Sequence, residues 1–89
     1  MKMQAASGFY VDVDLIGRKV HWGIPDGTKS RDLTWDLDIE RAECAKMIRQ
    51  HVREQVMAND LEPGEAWLLN AAASELENAG SHFPGTPDA

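Results

Sequence analysis

Two aspartates and a histidine stand close together in the segment YVDVDLIGRKVHWG, residues 10–23. Apolar and acidic residues alternate in this segment, which predicts a strand with Asp12 and Asp14 on one face. A turn after this strand would bring His21 opposite Asp14. Carboxylate and imidazole groups are ligands that manganese, iron and zinc accept. The pattern supplies no evident fourth ligand, so a solvated sheet face with one charge-assisted pair is the favoured interpretation. No metal or cofactor is therefore expected.

The residues that could act as nucleophiles do not suggest an enzyme. Nucleophilic catalysis needs a nucleophile beside a base, but Cys44 is expected on the apolar side of a helix, where a free cysteine packs as a small hydrophobic residue. The serines and histidines are scattered, and no glycine-rich phosphate loop is present. The single cysteine excludes an intrachain disulfide and fits a cytoplasmic location. Neither a signal peptide nor a membrane span is expected.

The charge is negative overall and unevenly distributed. The net charge of the 89 residues is −6, and no lysine or arginine follows Arg53. A segment with only acidic charges repels phosphate and attracts basic surfaces. The four basic residues of the first helix are interpreted as a solvated face rather than a nucleic-acid footprint; they are Arg41, Lys46, Arg49 and Arg53.

Three N-terminal segments alternate between apolar and polar residues with the period of a half-buried strand. They cover residues 9–16, 19–24 and 32–37. A two-residue turn at Gly17 and Arg18 is expected between the first two strands. It would pair Leu15 with Val20 and Val13 with Trp22 across the hairpin. The first six residues are expected to be loosely ordered.

The remaining chain predicts two helices, at residues 39–58 and 63–79, because apolar residues recur there at helical spacing. Asp38 is a suitable N-cap, Pro63 a suitable first residue and Gly80 a suitable end. The expected fold class is α+β, an N-terminal three-stranded antiparallel β-meander with two C-terminal helices packed on one face. Residues 1–80 are expected to form a single compact domain, followed by a flexible tail at 81–89.

A meander followed by a helix is similar in outline to sheet-based DNA-binding modules, such as the arm-binding domain of tyrosine recombinases. The resemblance implies that DNA would be read by a basic outer sheet face. Here that face is expected to carry Asp12, Asp14 and Asp36, which repel phosphate. Direct nucleic-acid binding is therefore kept only as a further alternative.

Protein binding through acidic surfaces is the function that the sequence favours. The candidate contact residues are Tyr10, Asp12, Asp14 and Asp36 on the outer sheet face, and Glu62, Glu65, Trp67, Glu75 and Glu77 around the second helix. Trp67 begins a run of three large apolar residues that cannot all point inward, so we expect it at the edge or exposed. It is interpreted either as a boundary residue that covers the seam between the helices, which is the favoured interpretation, or as an interface anchor.

In size and acidic composition the chain resembles phage-encoded inhibitors of the anti-CRISPR or anti-restriction kind. The resemblance implies a nucleic-acid mimic that blocks the basic nucleic-acid-binding surface of a partner protein. The alternative is a structural or assembly protein that homodimerises, since an edge strand and an amphipathic helix pair both suit self-association. The sequence leaves open whether the chain is a monomer or a homodimer.

Overall fold

The fold is α+β, with an antiparallel sheet and two helices in a computed structural model that describes residues 1–79. The strands are β1 (Lys2–Gln4), β2 (Tyr10–Asp14), β3 (Lys19–Gly23) and β4 (Arg31–Thr34), and the helices are α1 (Asp38–Met57) and α2 (Pro63–Ala79). The sheet order is β1-β2-β3-β4, so each strand pairs with the next one along the chain. The tail expected at 81–89, and Gly80 as the end of α2, lie outside the described residues.

The sheet has four strands rather than the expected three, because residues 2–4 form the edge strand β1. Met3 pairs with Val11 of β2 and packs, partly buried, against the core. The terminal amine of Met1 donates a hydrogen bond to the carbonyl oxygen of Val13 at 2.6 Å. The expectation of a loosely ordered N-terminus is therefore wrong. A three-residue strand is too short to be recognised from alternation in the sequence. These residues are ordered because they pair with β2.

The β2–β3 hairpin has a different register from the one expected. Val13 pairs with Val20, and Val11 pairs with Trp22. The expected pairs are therefore wrong by two residues along one strand. A shift of two residues keeps every side chain on its own face, so Val11 and Val13 are still buried, whereas Leu15 leaves the core and is exposed.

The cause of the register shift is the loop at residues 15–18, which replaces the expected two-residue turn. The carboxylate of Asp14 accepts a hydrogen bond from the backbone N–H of Gly17 at 2.8 Å. Arg18 adopts a φ of 59°, in the left-handed region. An aspartate that bonds the backbone a few residues on stabilises a turn by itself, so β2 ends at Asp14.

The core lies between the inner face of the sheet and the two helices. Its fully buried side chains include Phe9, Val11, Val13, Val20, Trp22, Ile48, Leu69 and Leu76. The link at 58–62 is short, so α1 and α2 pack against each other as direct neighbours. Ala72 and Ala73 are fully buried, and their small side chains permit the close approach of neighbouring elements. Neither helix within residues 1–79 is long and apolar enough to cross a membrane.

The start of α1 differs from the expected capping arrangement. The N-cap is Leu37, which provides no capping side chain, and Asp38 is the first helical residue. The carboxylate of Glu40 instead accepts the N–H groups of Asp36 and Leu37, at 2.8 and 3.0 Å. These hydrogen bonds lower the pKa of Glu40 from its ordinary value, because they favour the charged form.

Candidate functional site

Four charged or titratable side chains form a row across the outer face of the sheet. Lys2, Asp12, His21 and Asp32 are successive cross-strand partners, so they share one face. Asp12, not Asp14, therefore lies opposite His21, which corrects the expected pair. Asp14 lies opposite Lys19 instead, as a direct result of the shifted register.

A hydrogen-bonded chain of three side chains crosses this row. The hydroxyl of Tyr10 lies 2.6 Å from Nε2 of His21, and Nδ1 of His21 bonds the carboxylate of Asp32. A carboxylate at Nδ1 holds the proton on that nitrogen, so Nε2 accepts the hydrogen bond from Tyr10. The order hydroxyl, imidazole, carboxylate is also the order of acid–base relays. Both imidazole nitrogens are occupied, and the arrangement fixes the three side chains relative to one another.

The outer sheet face is not uniformly acidic, contrary to expectation. Asp12 lies opposite Lys2 and 3.9 Å from the terminal amine of Met1. Asp14 lies opposite Lys19. Each of these aspartates therefore has a cation on the same face, which weakens its field at a distance from the sheet.

The residues considered as metal ligands are near one another but are not arranged as a metal site. Asp12 and His21 are cross-strand partners, but Asp14 bonds Gly17 within its own turn. Within residues 1–79, no three histidine, cysteine, aspartate or glutamate side chains are grouped so that they could hold a metal ion.

Asp36 does not belong to the outer sheet face, because β4 ends at Thr34. Its carbonyl oxygen accepts a hydrogen bond from Arg18 at 3.1 Å, and its N–H donates to Glu40. Asp32, the cross-strand partner of His21, is the aspartate of β4 that lies on this face. The alternation of this segment could have identified Asp32, because residues 32 and 36 are an even number of positions apart and so belong to the same face of the predicted strand.

Glu65 is buried, with an exposed fraction of 2%, and this corrects its assignment to an exposed acidic surface. Its carboxylate accepts hydrogen bonds from Nζ of Lys29 at 3.1 Å, the hydroxyl of Ser7 at 3.2 Å and the N–H of Glu62 at 3.2 Å. Burial raises the pKa of Glu65, but these hydrogen bonds and the charge of Lys29 outweigh burial and hold the pKa below its ordinary value. The carboxylate therefore joins the start of α2 to two distant loops.

The other candidate residues of α2 lie in different environments. Trp67 is 68% exposed, whereas Leu68 and Leu69 are buried, so the prediction that Trp67 is the outward member is confirmed. Glu75 is half-buried. Glu77 accepts two hydrogen bonds from Arg49, at 2.8 and 3.0 Å. These bonds lower the pKa of Glu77.

Trp67 lies on the link side of a hydrogen bond that joins the two helices. Arg49 donates a hydrogen bond to the hydroxyl of Ser74 at 3.0 Å. Val56 and Trp67 are each seven residues from this bond toward the link, about 10.5 Å along their helices. Both residues therefore lie in the half of the helix pair that ends at the link, and Met57 follows Val56 in the sequence. We call these three exposed side chains, Val56, Met57 and Trp67, the Trp67 surface.

Exposed charges of both signs lie at the end of the helix pair near the link. The acidic residues are Glu54, Asp60 and Glu62, and the exposed cations are Arg53, Lys29 and Arg31. The last turn of α1 contains no basic residue, so the partial negative charge of its carbonyl groups is not offset there. Lys29, on the adjacent loop, bonds the carbonyl oxygen of Asp60 and the buried carboxylate of Glu65.

We compared the chain with protein-family models, with curated proteins and with solved structures, and none of the three comparisons found a match.

Proposed function

We propose that the chain is a small acidic protein-binding module that holds a basic partner protein through the Trp67 surface. The observation that carries the proposal is the exposure of Trp67, at 68% of its surface; Val56 and Met57, at the end of α1, are exposed as well. We propose that these side chains form one patch, because exposed apolar patches with a polar rim are typical of interaction sites. Tryptophan is enriched among the residues whose truncation costs an interface about 2 kcal/mol or more.

The charges around this surface support a basic partner. Glu54, Asp60 and Glu62 are exposed at this end of the molecule, and no lysine or arginine follows Arg53 in the sequence. Complementary charge mainly accelerates and orients association, whereas the apolar contact slows dissociation. The outer sheet face, where Asp12 and Asp14 each lie opposite a lysine, is the weaker of the two candidate surfaces.

More specifically, we propose that the chain inhibits the partner by covering a basic nucleic-acid-binding groove, in the manner of anti-CRISPR or anti-restriction proteins. The net charge of −6 and the absence of lysine and arginine after Arg53 support this form. Acidic side chains would replace phosphates in the groove, and Trp67 would insert beside them. This role requires binding rather than catalysis, and no direct contact with nucleic acid. We place it in the cytoplasm.

The proposal is tested with Trp67→Ala and with a matched control, Met47→Ala, which truncates another exposed apolar residue of the helix pair. A partner captured from bacterial lysate is purified, and its DNA binding is measured while wild-type or variant protein is added. Wild type and Met47→Ala are expected to displace DNA from the partner. Trp67→Ala is expected to need about thirtyfold more protein, which corresponds to about 2 kcal/mol.

Three results would contradict the proposal in different ways. Equal displacement by Trp67→Ala would exclude the Trp67 surface as the contact. Loss of displacement in Asp12→Lys, with Trp67→Ala unaffected, would move the contact to the outer sheet face. A stable dimer in light scattering that Trp67→Ala dissociates would favour the homodimeric assembly protein, because the same apolar area would then be covered by a second copy.

A further inference from the structure

A cleft of about 380 Å³ lies between the loop before β4, the C-terminal half of α1 and the link to α2. Its lining includes Trp22, Ser30, Arg31, His51, Gln55 and Leu61. We propose that this cleft, the Arg31 cleft, binds a small monovalent carboxylate that carries a flat apolar group. The inference is independent of the proposed function, because neither Trp67 nor Val56 lines the cleft.

The floor of the Arg31 cleft is apolar and firmly held. Phe9 and Trp22 close it from below and are almost fully buried. The ring of His51 packs on Trp22 with 5.6 Å between ring centres. Leu61 packs against the core from the link. A floor of this kind favours a flat apolar body, since pockets combine an apolar lining with a few polar groups that orient the ligand.

Arg31 supplies an available cation at the rim. Within residues 1–79 its guanidinium makes one side-chain hydrogen bond, to Nδ1 of His51 at 3.5 Å, the limit of such contacts. A guanidinium has five N–H donors in a planar fork, so most remain available. This fork matches a carboxylate in two parallel hydrogen bonds.

His51 can add a second donor to the same ligand. Burial lowers the pKa of His51, and the charge of Arg31 lowers it further, so the neutral ring is favoured at pH 7. Nδ1 accepts the hydrogen bond from Arg31. The single ring proton then resides on Nε2, which is a donor. Ser30 and Gln55 add a hydroxyl and an amide to the lining.

The remaining charges of the cleft limit the ligand to one negative charge. Lys29 bonds the buried carboxylate of Glu65 at 3.1 Å and the carbonyl oxygen of Asp60 at 2.8 Å, so most of its charge is already balanced. Asp60 also lines the cleft, and its carboxylate repels anions. A dianion such as a phosphate monoester is therefore disfavoured relative to a carboxylate. The volume lies near the lower limit of ligand pockets, about 300–1,000 Å³, which indicates a ligand of one or two rings.

The experiment titrates the protein with indole-3-acetate, and in parallel with the neutral indole-3-acetamide and with inorganic phosphate. Binding is followed by ¹H–¹⁵N NMR at the indole N–H of Trp22 and the backbone amides of Ser30 and His51. Indole-3-acetate is expected to bind with a dissociation constant of about 1 mM or below, and the two other probes about tenfold more weakly.

Two substitutions and a matched control assign the binding to the cleft. Arg31→Gln is expected to weaken indole-3-acetate binding about tenfold, the loss of a bidentate charged contact. Arg53→Gln removes an exposed arginine outside the lining and is expected to leave binding unchanged. Asp60→Asn is expected to tighten binding about twofold or more, since it removes the repulsion.

The proposal is overturned if no amide of the lining shifts at about 10 mM indole-3-acetate. It is equally overturned if the acetamide binds as tightly as the acid, or if Arg31→Gln and Arg53→Gln have the same effect. Thermal unfolding of Arg31→Gln checks that the variant is folded. Asp60→Asn tests the site separately, because its expected effect is a gain that an unfolded protein could not produce.

Discussion

The buried carboxylate of Glu65 provides the sharpest test of the packing between the helices and the loops. Glu65→Gln retains the shape of the side chain but removes its charge. The carboxylate now accepts three hydrogen bonds, from Lys29, Ser7 and the N–H of Glu62. The amide of glutamine has one acceptor oxygen, so it cannot satisfy all three donors with the same geometry.

The expected loss is worked out from these contacts. Removing one partner of a fully buried ion pair costs about 3–5 kcal/mol, because the other charge is stranded. Lys29 is 39% exposed and can turn toward water, so the loss is smaller than that limit. A buried hydrogen bond to a charged group contributes about 1.5–3 kcal/mol, and we expect Glu65→Gln to lower the free energy of unfolding by about this amount.

Urea unfolding at pH 7, followed by tryptophan fluorescence, measures this loss. The control is Glu77→Gln, which breaks the pair with Arg49. Those side chains are 33% and 42% exposed, so solvent screening limits the control to about 0.2–1 kcal/mol. Equal losses in Glu65→Gln and Glu77→Gln would refute the argument that burial and the three donors make Glu65 a stabilising group.

The dependence on pH gives a second check on Glu65. The pKa of Glu65 in the folded protein lies below the ordinary value of 4.5. Its stabilisation is therefore complete above about pH 5 and is lost as the pH falls through the folded pKa. The stability difference between wild type and Glu65→Gln is expected to shrink progressively as the pH falls below about 5. A difference that stays constant below this pH would contradict the lowered pKa.

Packing elsewhere in the fold predicts three further outcomes. A Cβ at Gly23 would lie 2.9 Å from Cα of Ser30, so Gly23→Ala is expected to cost about 1–3 kcal/mol in urea unfolding; Gly64→Ala, with open space around it, is expected to cost little, and equal losses would contradict the close approach. Cys44 is buried and its thiol pKa is raised by burial, so a thiol reagent at about pH 8 is expected to react slowly with the folded protein and fast in urea; equal rates would contradict the burial. Met3→Ser is expected to cost about 1 kcal/mol and to speed amide exchange in the β1–β2 pair; unchanged exchange would contradict the β1 strand.

The local features of the fold could be predicted from sequence because periodicity reports which face is buried. Val11 and Val13 are buried as expected, and Leu68 and Leu69 point inward while Trp67 points outward. The hairpin register could not be predicted in the same way, since a shift of two residues leaves the faces unchanged. The register depends on the hydrogen bond that the carboxylate of Asp14 accepts from the N–H of Gly17 within the loop. The alternation of apolar and polar residues carries no information about this bond.

The candidate site was predicted less well, because its decisive contacts join distant parts of the chain. Glu65 looked like an acidic residue in the first turn of an exposed helix. Its burial depends on Ser7 and Lys29, which are 58 and 36 residues away in sequence. The charge balance of the outer sheet face likewise depends on Lys2, which reaches that face only because β1 pairs with β2. Such pairings leave no periodic signal in the sequence.

The sequential strand order has a consequence for how the chain folds. Every strand pairs with its neighbour in sequence, and the helix pair is also consecutive, so most pairing closes only short loops and costs little chain entropy. The contact between α2 and β2, the α2–β2 seam, is different, since it joins elements that are about 50 residues or more apart in sequence. Topologies dominated by local contacts fold quickly. We therefore expect the hairpins and the helix pair to form first, and the closing of the α2–β2 seam to complete the fold. Contacts made after the transition state determine the unfolding rate, so substitutions at this seam are expected to shorten the lifetime of the folded state while leaving the folding rate nearly unchanged.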